Sequence, residues 1–447
     1  MPASGGEWTP IRIDEAELPS DKNFRVRLGA AQGLEYAAES FRPVLVLGPQ
    51  RSYKTSGFSV PTVLDWSGPV VATSVRGDVL EDTIEWRRRA GKVYIFDPSG
   101  SLKGTRYEQF RCSWNILAHC RTWDECVRTA RALTEAGRLG GQIDGGFWHE
   151  LASQLLAPLL LAASSSGYGM TDVIRWVWTQ EEFEVRALLQ AGDHEKALLS
   201  AENSWMREDR ARSSVYTTLT AALRVFDYEQ VVLNDGPFFD LEQLVASQSD
   251  TLYICSPIQG QEEFRPLFTG VLRTVAQMVF EKNSRSLGGV IDASSTEPES
   301  ASHTSPCRLL LMLDEAGVIA PLEDLESIAT TAAGASIQVV SIFHDISQIE
   351  AIYGSYAARS IINNHSALVV LPGLRDIATL EYIEALLRGE QVANSLDGQW
   401  IGPRPIRGLR RGEALLVYEN LRPVVLKIQS KFTDSRIAGK VVARSGS

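Results

Sequence analysis

The stretch 43-PVLVLGPQRSYKTSGF-58 decides how the rest of the chain is read. Four apolar residues, Val44 to Leu47, read as a buried strand, and Gly48 opens a turn. Lys54 and Thr55 then begin 55-TSGFSVPTVLDW-66, whose apolar residues recur at helical spacing. The pattern is G-x-x-x-x-G-K-[ST], the phosphate-binding loop, except that Tyr53 stands where a glycine is expected. Such a loop works because backbone N–H groups and a helix N-terminus converge on an anion. The lysine then reaches the outer phosphates and the Ser/Thr hydroxyl ligates Mg²⁺. Gly48, Gln50, Arg51, Ser52, Tyr53, Lys54, Thr55 and Ser56 are therefore the expected phosphate-binding residues. Tyr53 leaves two alternatives open. Glycine at this place often takes positive φ, which a bulky aromatic adopts only at a cost of roughly 1–3 kcal/mol. Either the loop is strained or rerouted and still admits phosphate, or the ring fills the place of the phosphate. A strand-to-helix turn holding one lysine is the bland alternative to both.

Outward from the loop, 69-PVVATSV-75, 79-VLEDTIEWRRRAGK-92 and 93-VYIFDPSG-100 alternate strand, helix and strand. Each strand is a continuous apolar run, as expected of a parallel sheet covered on both faces. From 122 to 230 strands vanish. Segments 123–137, 148–166, 171–178 and 208–226 read as helices, with starts at Thr122 before Asp124 and Glu125 and at Thr171 before Asp172. Sheet texture returns with 251-TLYICSP-257, followed by a helix over 264–282. The Ser/Gly/Pro-rich stretch 283–307 reads as a flexible loop. Further strands are expected at 308–317, 336–343, 367–373, 414–419 and 423–428. The expected organisation is an α/β domain of residues 1–121 and 231–447, interrupted by an all-helical insertion at 122–230.

A second signature supports the first. The run 309-LLLML-313 delivers Asp314 and Glu315 to a strand's C-terminal end. In phosphate-loop ATPases the acid closing such a strand holds Mg²⁺ and the next polarises the attacking water. Adjacent carboxylates repel, so a divalent cation is a natural counter-charge. Capping of the next helix is the alternative reading.

The set 48-GPQRSYKTSG, 69-PVVATSVRGDVLEDTIEWRRRAGKVYIFDP-98, 113-SWNIL-117, 308-RLLLMLDEAGVIAPL-322, 341-SIFHDISQIEAIYG-354 and 361-IINNHSALVVLPGLRDIATLEYI-383 resembles TraG/TraD-type coupling proteins. These are the ATPases of type IV secretion and conjugation, relatives of FtsK and HerA. The resemblance covers about 45 to 390. It implies a RecA-like P-loop domain with a mainly parallel central sheet, an inserted all-α domain, homohexameric rings, and ATP with Mg²⁺ as cofactors. It further implies Thr55 and Asp314 as metal-binding residues, Glu315 and His344 as catalytic ones, and single-stranded DNA, a relaxase or another protein substrate as partners beside the secretion machinery. Three departures stand out. Tyr53 replaces a glycine, His344 stands in place of a glutamine (Gln348 follows one turn on), and no arginine occurs between Arg308 and Arg359. All three alter groups that speed hydrolysis, while Lys54, Thr55, Asp314 and Glu315 are kept. Two functions are therefore expected in competition: an ATPase that drives substrate into a secretion channel, or a weakly or non-hydrolysing member that binds or scaffolds substrate.

The bulk composition sets limits. The 447 residues are 44% hydrophobic and 22% charged, which suits a globular chain with a large core. A net charge of −11 argues against wholesale coating of nucleic acid. The polar N-terminus is no secretory signal, and no run of about 18 apolar residues spans a bilayer. A cytoplasmic protein is expected, at the cytoplasmic face of the inner membrane and reaching the membrane only through a partner or a missing anchor. Cys112, Cys120, Cys126, Cys255 and Cys307 form no C-x-x-C pair and read as free buried thiols. His149 and Glu150 lack the second histidine of a zinc motif. Trp176, Trp178, Trp205 and Met206 read as core rather than recognition surface. Arg87, Arg88 and Arg89 suit a helix C-terminus better than a DNA contact. Arg404, Arg407, Arg410 and Arg411 form a basic patch that could face phosphate or a neighbouring subunit.

Overall fold

The computed structural model describes residues 24–31, 33–75, 77–135, 145–232, 236–256, 260–288, 306–319, 321–322, 324–388, 392–393, 400–401, 405–419 and 421–442. The N-terminal stretch, Arg404 and residues 289–305 of the expected loop lie outside them.

The apolar runs form the strands β1 (Arg27–Ala31), β2 (Leu34–Ala37), β3 (Val44–Leu47), β4 (Val70–Ser74), β5 (Val93–Phe96), β6 (Arg111–Cys112), β7 (Thr251–Cys255), β8 (Leu309–Leu313), β9 (Ile337–Phe343), β10 (Ala367–Val370), β11 (Val392–Ala393), β12 (Trp400–Ile401), β13 (Glu413–Tyr418) and β14 (Val424–Lys427). They join in one fourteen-stranded sheet, ordered β12-β11-β14-β13-β10-β3-β9-β8-β4-β7-β5-β6, with the β1–β2 hairpin on β14. Pairing is parallel throughout from β10 to β6. It turns antiparallel where β13 joins β10 and β14 joins β13. The fold is thus α/β with a mainly parallel sheet. After β9 the chain crosses β3 and continues on its far side as β10, so the mouth beside β3 is a topological switch point.

Alternation along β3 explains why its run is uninterrupted. Leu45 and Leu47 face a core with Phe268 and Leu272 of the long helix Gln261–Gly288. Val44 and Val46 face another with Phe58, Val63, Leu80 and Ile84. Both faces are dry, so every position must be apolar.

Between β6 and β7 the described residues hold helices Trp123–Glu135, Gly145–Ser166, Met170–Thr179, Phe183–Ala191, Glu195–Trp205 and Asp209–Ala222. Thr122 caps the first as expected: its hydroxyl accepts from Glu125 N (3.3 Å) while the Glu125 carboxylate accepts from Thr122 N (2.8 Å). The third starts earlier than expected, with Gly169 at the N-cap and Asp172 accepting from Gly169 N. Leu155, Leu156, Leu159 and Leu160 of the 145–166 helix join the core that covers one face of the sheet. The helical segment is therefore seated on the sheet by continuous apolar packing. Trp176 and Trp205 are buried in it as expected, whereas Trp178 and Met206 are 62% and 78% exposed.

Two further differences follow from partners distant in sequence. Residues 283–288 continue the 261–288 helix instead of opening a loop, because the buried Asn283 amide donates to Cys307 O and Ala335 O and accepts from Cys307 N. Arg87 lies in the last turn of the helix Asp78–Ala90 as expected, but it is buried rather than at the surface: it is 1% exposed and donates to Trp66 O, Gly68 O, Ser249 O and Thr251 Oγ1. Burial lowers its pKa. All five cysteines are free and buried.

Candidate nucleotide site

Three adjacent parallel strands place the site. β3 ends at the Gly48 turn, β9 at His344 and β8 at Asp314, all at one edge of the sheet. Gly48 N donates to Phe343 O at 3.1 Å, extending the β3–β9 ladder by one rung. A Cβ at Gly48 would lie 2.6 Å from Ser52 Oγ and 2.8 Å from Leu371 Cβ, so only glycine closes the turn. Ser52 Oγ donates back to Pro49 O at 2.7 Å.

Tyr53 has φ +74°. It therefore adopts the left-handed conformation that a glycine would supply, and the loop keeps its course. The ring leans toward the β13–β14 side, packed against the cluster of Phe58 and Ile428, with the Arg411 guanidinium 5.4 Å from its centroid. Lys54 points the other way, toward β9 and β8. The contacts of the ring are with the Phe58 and Ile428 cluster and Arg411, and those of the ammonium are with Gly48, His344 and Glu315. Arg51 and Glu315 also have positive φ, +62° and +55°. Strained non-glycine backbone of this kind is concentrated at functional sites.

Lys54 is 5% exposed. Its Nζ donates to Gly48 O (2.8 Å) and to His344 Nδ1 (2.7 Å), and lies 3.6 Å from Glu315 Oε1. His344 Nε2 lies 3.0 Å from Glu315 Oε2. With Nδ1 accepting from an ammonium, the partners assign the imidazole proton to Nε2, donating to Glu315. Burial lowers the Lys54 pKa against the pull of Glu315 and Asp314. Burial also opposes ionisation of Glu315, but the His344 hydrogen bond and the Lys54 charge outweigh it and hold the group below the ordinary carboxylate range.

The second carboxylate behaves differently. Asp314 is 4% exposed and accepts from Thr55 Oγ1 at Oδ2 (2.8 Å); the buried Ser59 hydroxyl also favours its charged form from nearby, but no donor reaches Oδ1 with full hydrogen-bond geometry among the described residues. Burial, aided by the Glu315 charge, pushes its pKa up to about 6. A buried carboxylate oxygen without a donor, beside a hydroxyl, fits a hard divalent cation. The helix-capping alternative fits less well, because the Asp314 side chain is engaged by Thr55 rather than by a helix N–H. Among the described residues no cluster of three His, Cys, Asp or Glu side chains able to take a metal occurs, here or elsewhere, so a cation at this site would rest on Asp314 and Thr55.

Of the expected residues, Gly48, Ser52, Tyr53, Lys54, Thr55, Asp314, Glu315 and His344 gather at this edge through the contacts given above; Gln50 and Arg51 lie in the same loop and Ser56 in the helical turn Thr55–Ser59 that follows it. Other quoted motif residues are structural. Asp97 accepts from Ser99, Ser101 and Leu102, closing the turn after β5. Asn115 caps the short helix Ile116–His119, and Trp114 lies so near Gly270 that a Cβ there would meet its ring at 2.9 Å. Three participants take roles that the sequence did not assign, although Gln348 and Arg411 were singled out in it. Thr73 donates to Asp314 O (2.7 Å), Gln348 accepts from His344 N (2.8 Å), and Arg411 covers Tyr53. A hydroxyl residue inside the apolar β4 run was the available signal for Thr73.

The fold matches solved structures. The unbound conjugative coupling protein TrwBΔN70 superposes with TM-score 0.66 at 19% identity, covering 90% of this chain and 88% of that one. TrwB in complex with ADP and Mg²⁺ gives 0.66 at 19%, covering 91% and 90%. Among curated proteins, conjugal transfer protein TraG of Escherichia coli is 24% identical over 364 residues, 77% of this chain and 54% of that protein. Protein VirD4 of Rhizobium radiobacter is 23% identical over 350 residues, 76% of this chain and 47% of that protein. The chain thus spans about half the length of the curated relatives it matches. Among the described residues no helix is long and apolar enough to cross a membrane. A family model described as type IV secretory system conjugative DNA transfer matches residues 13–392, and the chain accordingly belongs to that family, the coupling proteins of conjugation.

Proposed function

We propose that this chain is a P-loop ATPase that recruits DNA or protein substrate and drives it into a type IV secretion channel. One observation carries the reading: the Thr55 hydroxyl meets the Asp314 carboxylate, whose other oxygen is buried and has no close hydrogen-bond donor among the described residues, with Lys54 beside them. ATP phosphates would replace Gly48 O and His344 as partners of Lys54, and the loop N–H groups of 48–56 would hold them. Thr55 and Asp314 would hold Mg²⁺, which neutralises phosphate charge when bound. Glu315 Oε1 or Oε2 orients the attacking water and accepts its proton, and His344 Nε2–H fixes that carboxylate. TrwB structures with a non-hydrolysable ATP analogue, ADPNP, and with ADP and Mg²⁺ support the cofactor assignment.

In this reading residues 1–121 and 231–447 form the RecA-like nucleotide domain and 122–230 an all-α domain that meets substrate. The partners are the type IV secretion machinery, a relaxase or other protein, and single-stranded DNA. Six copies form the ring, at the cytoplasmic face of the inner membrane, attached through a partner or through an anchor outside this sequence. The second reading, a weakly or non-hydrolysing scaffold, is favoured by the lack of any arginine from 309 to 358 that could reach a neighbour's nucleotide.

ATP–Mg²⁺ binding and turnover by the wild type, Tyr53→Gly and Lys54→Ala separate the two. Turnover by the wild type that Lys54→Ala abolishes removes the scaffold reading. Absence of binding by the wild type, restored by Tyr53→Gly, removes the ATPase reading.

A further inference from the structure

The left-handed Tyr53 poses a physical problem: something must hold a bulky side chain in a conformation that non-glycine residues rarely adopt. The turn before β13 is placed to do so. Gly412 (φ +89°) reverses the chain, and Gly412 O accepts from Ile428 N at 2.8 Å, pinning the turn to the end of β14. Arg410 N donates to Glu413 Oε2 at 2.8 Å, bracing it from inside. Arg411, at its tip, has no carboxylate partner among the described residues and lies over the Tyr53 ring. The same strand end touches the loop again one turn on, where Ile428 abuts Gly57 so closely that a Cβ there would lie 2.4 Å from Cγ2. Gly57 N in turn donates to Tyr53 O at 2.8 Å.

We propose that Arg411 is a positioning residue: its guanidinium clips the Tyr53 ring outward to the β13–β14 side, so that the loop holds a glycine-like backbone and its concave face stays open to phosphate. The proposal rests on the nucleotide-site reading above. It makes Arg411 and Tyr53 a compensating pair, in which the arginine is needed only because the glycine is absent. An arginine that touched nucleotide itself would be needed with either residue.

A double-mutant cycle on the full chain decides this, read as the Kd of a fluorescent ADP–Mg²⁺ analogue and, in parallel, by thermal unfolding. Arg411→Ala is expected to weaken binding about 3- to 10-fold in the wild type. Arg411→Lys recovers part of the loss, because an ammonium also sits over an aromatic ring. In a Tyr53→Gly background Arg411→Ala changes Kd by less than about twofold. An equal loss in both backgrounds, or none in either, overturns the clip. Lys54→Ala is the control for the site: if wild type, Tyr53→Gly and Lys54→Ala all bind nothing, the nucleotide reading fails. The clip is then decided by unfolding alone, where non-additive Tm shifts for the pair uphold it and additive shifts overturn it.

Discussion

Lys54 and Arg87 are both buried cations, 5% and 1% exposed, and they are held in opposite ways. Arg87 spends its donors on three backbone carbonyls and a threonine hydroxyl, contributed by the segment before β4 and by the segment leading into β7. None of those partners can leave without the sheet coming apart. Lys54 spends its donors on one carbonyl and on His344 and Glu315, two side chains that also pair with each other. An incoming anion can take over that ammonium without unfolding anything. Burial of a charge alone does not separate structure from function; the exchangeability of its partners does.

The sharpest break of this contrast is the pair Arg87→Met and Lys54→Met. Arg87→Met leaves several buried acceptors unpaired and is expected to cost about 3–5 kcal/mol in denaturant unfolding. Lys54→Met is expected to stay within about 1 kcal/mol of wild type, because it also relieves the desolvation of a buried ammonium, while nucleotide binding is lost. Equal destabilisation by the two would erase the distinction.

A buried titratable group away from the site sharpens it next. His365 donates from Nδ1 to Ile361 O (2.7 Å) and accepts at Nε2 from Ser341 Oγ (3.0 Å); burial pulls its pKa from 6.5 down to about 4. Below pH 6.5 the unfolded chain takes up a proton that the folded histidine refuses. Its contribution is present above that value and is lost as pH falls toward about 4, by up to about 3 kcal/mol. His365→Gln should flatten this part of the pH–stability curve, and an unchanged slope would rule the group out as its source.

The remaining predictions concern the mouth of the loop. Asp314→Asn should reduce the Mg²⁺-dependent part of nucleotide affinity at least about 10-fold, measured by titration with and without EDTA. In the wild type that part should fade as pH drops through about 6, since a metal competes with the proton on Asp314. The smallest change is His344→Gln, which removes the imidazole link between Lys54 and Glu315. Turnover is expected to shift by several-fold with Kd nearly constant, and a Kd change of the same size would place His344 in binding instead.

The sequence carried the loop and the carboxylates, because their chemistry depends on residues adjacent in the chain. The apolar run Leu309–Leu313, ending in two acids, sets a pair of carboxylates at a strand end however the rest of the chain folds. It did not carry the roles of Thr73, Gln348 and Arg411, which come from partners on other elements of the fold. The basic run 86-WRRRAGK-92 shows the limit best. Arg87, Arg88 and Arg89 look alike in sequence, yet one is a buried clamp, one lies over Phe110 and pairs with Glu85, and one lies over Trp86. Helical phase against the sheet sorted them.

The sequence by itself determined the parallel α/β sheet, the strand ends that carry Lys54, Thr55, Asp314 and Glu315, and the kinship with conjugative coupling proteins. These depend on local pattern: continuous apolar runs, a glycine turn, acids closing a strand. Only the tertiary structure decided the fate of Tyr53. Its left-handed backbone is set by Gly57 in the next turn, by the cluster under its ring and by Arg411, which reaches it from 358 positions further along the chain. Backbone strain survives only where surrounding contacts hold it, and those contacts exist only once the sheet has brought its strand ends together.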